Sequence, residues 1–148
     1  MPRLVLFAAC EKAIVDQTTN VISLMSLLQD INVQLPPGVV PPSNAAIPMN
    51  WMIVSVWQQL PEDKGKLFEQ RSTLVNHSGV TQMETPVAAF EIKTEFHRVF
   101  NQVMGLQIGE AGSRLVKCFL REKGKDWTEM GTYPISVKWV STAPRIIQ

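Results

Sequence analysis

Two histidines stand out among the side chains of this sequence that could do chemistry. His77 precedes Ser78 in a glycine turn, and His97 lies in the sequence EFHRVF between charged neighbours. Nucleophilic catalysis needs an exposed nucleophile, a positioned base and an orienting acid. The sequence has no G-x-S-x-G nucleophile elbow and no phosphate-cradling glycine loop. Histidines on the surface or on a sheet face explain the pattern better, so we expect no catalytic residue and no enzyme.

Two pairs of carboxylates could in principle act as acid and base. Glu62 and Asp63 lie in a lysine-rich loop, and Glu91 and Glu95 alternate with Lys93 along one element. A glycosidase needs its two carboxyl groups about 5–10 Å apart across a cleft. Solvated surface charges explain both pairs better.

The cysteines offer neither a metal site nor a disulfide framework. Cys10 and Cys118 lie far apart in apolar surroundings, and the two cysteines and two histidines are not at ligand spacing. Since the cytoplasm keeps thiols reduced, we expect two buried free thiols. No metal and no cofactor is expected.

The first ten residues imitate a lipoprotein export signal. Arg3 precedes an apolar stretch that ends in Ala8, Ala9 and Cys10. The stretch Leu4–Ala9 is shorter than the roughly 7–15 apolar residues that a signal needs. We therefore expect an unprocessed N-terminus in a cytoplasmic protein. No other run approaches the ~18 apolar residues of a membrane span, so no membrane partner is expected.

Composition and charge limit the classes of protein to which this chain can belong. The chain has 148 residues, of which 45% are hydrophobic and 18% charged, and its formal net charge is +1. This length predicts one domain, residues 1–148, and this composition excludes disorder. Because no basic stripe could release counterions from a nucleic acid, that partner class is not expected.

Alternation of side chains predicts the first strands. The apolar runs Leu4–Val15 and Val21–Leu35 flank a short polar turn and predict a β-hairpin. Five of the ten prolines fall in residues 35–48, which predicts a long crossing loop that packs over one end of the domain. Met49–Leu60 is the clearest strand of the chain, with Trp51, Ile53, Ser55 and Trp57 on one face and Met52, Val54, Val56 and Gln58 on the other.

One segment carries two periodicities. Within TPVAAFEIKTEFHRVFNQVMGLQI, apolar residues recur at helical spacing, and Thr85-Pro86 would start a helix. The β-branched and aromatic residues and Gly105 favour a strand instead. Periodicity alone leaves the choice open.

The remaining segments complete an all-β chain. Leu115–Arg121 is a strand, residues 122–126 form a hairpin loop, Trp127–Val140 closes the domain, and residues 141–148 form a loose tail. About seven to eight strands with Pro- and Gly-rich connections predict a single-domain antiparallel β-sandwich.

Three stretches in this order resemble a family of small bacterial β-sandwich proteins of unknown function. They are CEKAIVDQTTNVISLMSLLQDI with the following LPP, then FHRVFNQVMGLQIGEAG, and finally YPISVKW. Ala111-Gly112 stands where that family has a proline-glycine turn. The resemblance implies that HRVFNQVMGLQI is a strand and that Cys10 belongs to the mature first strand. Together with the β-branched and aromatic content, it predicts that Phe96–Leu106 is extended. It implies no activity.

Large apolar residues that are expected at the surface are the main indication of function. We expect Trp57, near a strand end, and Trp127, near a loop, to be exposed. The opening hairpin and Met49–Leu60 are apolar on both faces, so the proline loop or another subunit must cover the second face. We therefore expect a homo-oligomer, most simply a dimer, with Val54 and Val56 at its interface.

The predicted function is a non-enzymatic scaffold or adaptor that binds a protein or itself. The alternative is a carbohydrate- or small-ligand-binding module that uses Trp57 and Trp127.

Overall fold

The computed structural model describes residues 1–141 and consists almost entirely of β-strands. Ten strands and one short 3-10 helix, Pro61–Asp63, follow the chain in this order: β1 Arg3–Val15, β2 Ile22–Leu27, β3 Asp30–Leu35, β4 Ala46–Gln58, β5 Leu67–Val75, β6 Thr81–Glu84, β7 Ala88–Glu91, β8 Phe96–Gln107, β9 Gly112–Glu122 and β10 Thr128–Ser141. Residues 142–148, most of the predicted tail, lie outside the described part. None of the described residues forms a helix long and apolar enough to cross a membrane.

The strands form two packed sheets, which confirms the predicted sandwich, with ten strands instead of seven to eight. The four-stranded sheet has the order β2-β1-β4-β8, and the six-stranded sheet has the order β3-β10-β9-β5-β6, with β7 also paired to β5. All pairs are antiparallel except β10 with β3, which is parallel. The core lies between the sheets because alternate residues of each strand point inward. Fully buried Trp51 and Ile53 of β4 meet Leu74 of β5 and Val116 of β9 there.

Val21–Leu35, predicted as one strand, is divided between the two sheets. β2 pairs with β1, whereas β3 pairs with β10 in the other sheet. Ser26 has a left-handed φ of 57°, which an L-residue seldom adopts, and the chain leaves the first sheet just after it. Buried Leu28 fixes the crossing, since its amide donates to the carbonyl of Ala9.

The segment with two periodicities forms two strands, β7 and β8, and no helix. β8 pairs with β4 along most of its length, from Gln58 opposite Phe96 to Ala46 opposite Gln107. The predicted extended conformation of Phe96–Leu106 is confirmed. Apolar residues four positions apart, such as Phe96 and Phe100, therefore lie on the same face of a sheet; in a helix the same spacing would place them on one side of the helix.

The first hairpin turns back over the outer face of the four-stranded sheet. Leu6 and Cys10 of β1 pair with Val56 and Met52 of β4, and beyond Cys10 the strand pairs with β2. A straight hairpin would carry its tip away from Val56. Instead Arg98, which pairs with Val56, donates hydrogen bonds to the tip at Asn20. We call this folded-back hairpin, residues 11–27, the arm.

The proline-rich segment crosses from one sheet to the other, as predicted. Because β3 ends at Leu35 and β4 begins at Ala46, the crossing loop comprises residues 36–45. A Cβ at Gly109 would overlap the carbonyl oxygens of Pro42 and Ser43, so the loop packs closely on the β8–β9 turn. It covers this end of the sandwich.

Candidate protein-binding surface

Trp57 lies in the core, and its predicted exposure is wrong. Its side chain is 0% exposed because the face of β4 that carries Trp51, Ile53 and Ser55 points towards the second sheet. The indole Nε1 donates to Oε1 of Gln70 at 2.7 Å, and Nε2 of Gln70 donates to Oγ of Ser55 at 2.7 Å. This polar chain satisfies the buried indole and joins the two sheets. No face of the ring is free for a ligand.

The two cysteines are buried and free, as expected. Burial raises the pKa of the Cys118 thiol to about 12, although hydrogen bonds with Ser55 and Ser72 act in the other direction. Burial also raises the pKa of the Cys10 thiol. Since the thiolate is the nucleophile, neither cysteine is activated at neutral pH.

Val54 and Val56 point outward from the four-stranded sheet, yet neither is exposed. Val54 is 0% exposed, and Val56 is also buried. The arm supplies the cover: Ala13, Ile22 and Leu24 share its inner face and are half-buried. The prediction that Val54 and Val56 form an accessible interface is therefore wrong. The hairpin itself covers them, rather than the proline loop.

Trp127 is half-buried on the outer face of the six-stranded sheet. The guanidinium groups of Arg71 and Arg121 lie 4.7 and 4.2 Å from its ring. The same two arginines form ion pairs with Glu84 and Glu69. Because two guanidinium groups already contact the ring, the structure does not favour the carbohydrate alternative at Trp127.

The accessible apolar side chains of the four-stranded sheet lie instead on β8. Phe96, Phe100 and Met104 are 49%, 38% and 84% exposed. They are four residues apart in a strand and therefore share the outer face, with Arg98 and Gln102 between them. We call these five side chains the β8 row. Val99 and Val103 alternate with them and point into the core.

Most backbone groups of β8 have no partner along the same side among the described residues, although the carbonyl of Phe96 accepts a hydrogen bond from Oγ1 of Thr94 at 2.9 Å. β8 ends the four-stranded sheet, and β4 is its one paired neighbour among the described residues. The carbonyl of Glu95 faces β4, where it accepts a hydrogen bond from the amide of Gln59 at 2.8 Å. Since backbone groups alternate in direction along an antiparallel strand, the amides and carbonyls of the β8 row face the free edge.

β8 is also the longest of the strands that end a sheet. It has 12 residues, whereas β2 and β3 have six each and β6 and β7 have four each. Natural sheets protect their edges with short strands, prolines and lysines. β8 contains no proline and no lysine, and its one arginine, Arg98, is bound to Asn20.

An open cleft of about 510 Å³ lies where the tip of the arm meets the start of β8. Its lining includes Asn20, Ile22, Val56 and residues 94–98. Arg98 closes one side, with Nη2 and Nη1 at 2.7 and 3.1 Å from the backbone and side-chain oxygens of Asn20.

His97 lines this cleft but has no catalytic partners. Its ring stacks on Phe90 with centroids 4.4 Å apart, and burial lowers its pKa. Its ring forms no hydrogen bond with an acid or a hydroxyl group among residues 1–141. No group of three potential metal ligands occurs within the same described range. The described lining of the cleft therefore shows no hydrogen bond between His97 and an acid, and no group of three potential metal ligands.

Sequence reasoning noted Phe96 and Phe100 but did not assign them to a surface. Their spacing also fits a helix, and the sequence alone predicts no role for Met104. In the predicted strand, the alternation of Phe96, Phe100 and Met104 with Val99 and Val103 is the signal that separates the outer from the inner face.

No family model matches this chain, and a search of curated proteins finds no significant match. The resemblance to small bacterial β-sandwich proteins stays a prediction. The fold and the β8 row together define a β-sandwich with one long, apolar, unprotected edge strand.

Proposed function

We propose that this protein is a non-enzymatic scaffold or adaptor of the cytoplasm that binds a protein by adding an extended strand to the edge of β8. The observation that carries the proposal is the coincidence of free backbone groups and exposed apolar side chains along one strand. In strand addition, main-chain hydrogen bonds supply affinity and alternate side chains supply specificity. The β8 row offers both.

Other parts of the described surface are less suited to this role. The outer face of the six-stranded sheet carries the ion pairs Arg71–Glu84, Arg121–Glu69 and Lys117–Glu129, which balance its charges. The near-neutral net charge of +1 gives no support to nucleic-acid binding. The two buried free thiols are consistent with a reducing compartment.

Photo-crosslinking in the native host tests this function. A photoreactive residue replaces Gln102, which is exposed in the β8 row, and in a control it replaces Thr132, which is exposed on the other sheet. We expect a crosslinked protein product from position 102 and none from position 132. The product should disappear when Met104→Asp is added, and it should persist with Val40→Asp, a substitution at a 72% exposed loop position. No product from position 102, or a product insensitive to Met104→Asp, would refute strand addition at β8.

A further inference from the structure

We infer that the strand accepted by β8 is β8 of a second copy of this chain, paired antiparallel about a two-fold axis at Phe100. This inference rests on the proposed function and names its partner. It joins two four-stranded sheets into one continuous sheet across the dimer. The apolar surface involved is on the sheet edge rather than at Val54 and Val56.

The first argument is the symmetry of the β8 row. A two-fold interface requires a surface that is complementary to itself. Along the row the side chains are apolar, polar, apolar, polar, apolar, in the order Phe96, Arg98, Phe100, Gln102 and Met104. Antiparallel pairing about Phe100 places Phe96 opposite Met104 of the second copy. Arg98 then faces Gln102, and the two Phe100 rings face each other.

The second argument is the direction of the backbone groups. Because the carbonyl of Glu95 faces β4, the amide and carbonyl of Phe100 face the free edge. A residue in this orientation forms a doubly hydrogen-bonded pair with its symmetry mate. The two-fold axis can therefore pass between the two Phe100 residues while the hydrogen-bond ladder between the strands stays intact. The same orientation holds for Phe96 and Met104, so the register spans all three apolar residues.

The third argument is electrostatic. Like charges directly opposite each other on neighbouring strands are unfavourable. In this register Arg98 meets the neutral amide of Gln102 in the second copy, and no two charged side chains of residues 96–104 are directly opposed. Asn20 already accepts two hydrogen bonds from Arg98 and holds it in place. The arginine therefore needs no acidic partner from another protein.

The size of the contact sets the expected affinity. A standard stable interface buries roughly 800 Å² per partner, and one strand edge with three apolar side chains is smaller than that. We therefore expect a reversible dimer with a dissociation constant on the order of 10 µM, which corresponds to a weak or transient interface.

Sedimentation equilibrium of the purified chain tests the dimer. The mass should rise from 16.6 kDa near ~1 µM to about twice that value at ~100 µM, as a micromolar equilibrium requires. Phe100→Asp places two carboxylates at the axis, and Met104→Asp changes an 84% exposed side chain that the fold does not need. Both variants should remain monomeric at the higher concentration. Val40→Asp should dimerise like the parent chain, and circular dichroism checks the fold of each variant.

The crosslinker at position 102 tests the register. Mass spectrometry should find it attached to a peptide around Arg98 of a second copy. A strictly monomeric chain at ~100 µM, or a dimer that survives Met104→Asp, would overturn the inference. A product from position 102 with a different protein would also overturn self-pairing while leaving the proposed function intact. No product at all from position 102 would refute the proposed function itself.

Discussion

The outer face of the four-stranded sheet is apolar and partly covered by the chain's own arm, whereas the outer face of the six-stranded sheet is open and charged. Val54 and Val56 lie beneath the arm. On the other sheet, Arg71 and Arg121 form ion pairs and both contact the ring of Trp127. The apolar side chains of the first face are therefore shielded from water, whereas the charged side chains of the second face stay in contact with it.

The arm also explains why one sheet has an unprotected edge. Because the arm reaches across to Arg98 at the start of β8, it covers the sheet up to that point but leaves Phe100 and Met104 uncovered. The six-stranded sheet ends instead in short strands, β3 and β6, which limit pairing with another chain. This difference is why the proposed strand addition is placed on the four-stranded sheet.

The largest expected effect comes from a charge placed on each outer face. Val54→Asp buries an unpaired carboxylate beneath the arm and should lower the free energy of unfolding by about 4 kcal/mol or more. Thr132→Asp lies on the other outer face opposite Lys117 and should change it by less than about 0.5 kcal/mol. Urea denaturation measures both values.

A milder variant covers the case in which Val54→Asp does not fold. Val54→Thr replaces a methyl group with a hydroxyl group at nearly constant volume and should cost about 1–3 kcal/mol. Equal effects of aspartate at positions 54 and 132 would show that the arm does not cover Val54.

Strand content could be predicted from the sequence because alternation is a local property. Met49–Leu60 was found in this way, and the content of β-branched and aromatic residues favoured a strand for Phe96–Leu106. The division of Val21–Leu35 between two sheets could not be found, since it depends on where Leu28 packs and on the left-handed φ of Ser26. Such a change of sheet leaves no periodicity in the sequence.

The site was harder to predict than the fold. The apolar outer face of Met49–Leu60 correctly indicated that something must cover it, but the identity of the cover depends on a contact between Asn20 and Arg98, 78 residues apart. Trp57 was misassigned because its position near a strand end suggested exposure. Its partner Gln70 belongs to the opposite sheet, and no local pattern connects the two residues.

An intermediate effect on stability is expected at the hydrogen bond that joins the tip of the arm to Arg98 of β8. Asn20→Gly keeps the left-handed φ of 61° and removes the side-chain oxygen that accepts from Arg98. Because this bond is exposed, its loss should cost about 0.5–1 kcal/mol and accelerate amide hydrogen exchange in residues 12–25 a few-fold.

Asn20→Asp is the matched control for the arm. It retains an acceptor oxygen, adds a charge opposite to that of Arg98, and should leave exchange in the arm unchanged or slower. If Asn20→Gly left the arm's exchange rates unchanged, the hydrogen bond from Arg98 to the Asn20 side chain would contribute nothing to holding the arm.

The smallest effect depends on pH and compares the two histidines. Burial lowers the pKa of His97, so the unfolded chain takes up a proton near pH 6.5 while the folded chain resists it. The unfolded state therefore binds more protons below this pH. The stabilising contribution of neutral His97 is present above about pH 6.5 and is lost as the pH falls through the folded-state pKa. Because the ring is only half-buried, solvent screening keeps this contribution modest.

Urea denaturation at several pH values from about 7.5 to 5 should show this loss in the parent chain. His97→Gln should reduce the decline, whereas His77→Gln, at an exposed turn position on the six-stranded sheet, should keep it. An unchanged decline in His97→Gln would mean that water reaches the His97 ring freely at the end of the four-stranded sheet. The cleft between the arm and β8 would then be as solvated as the charged face of the other sheet.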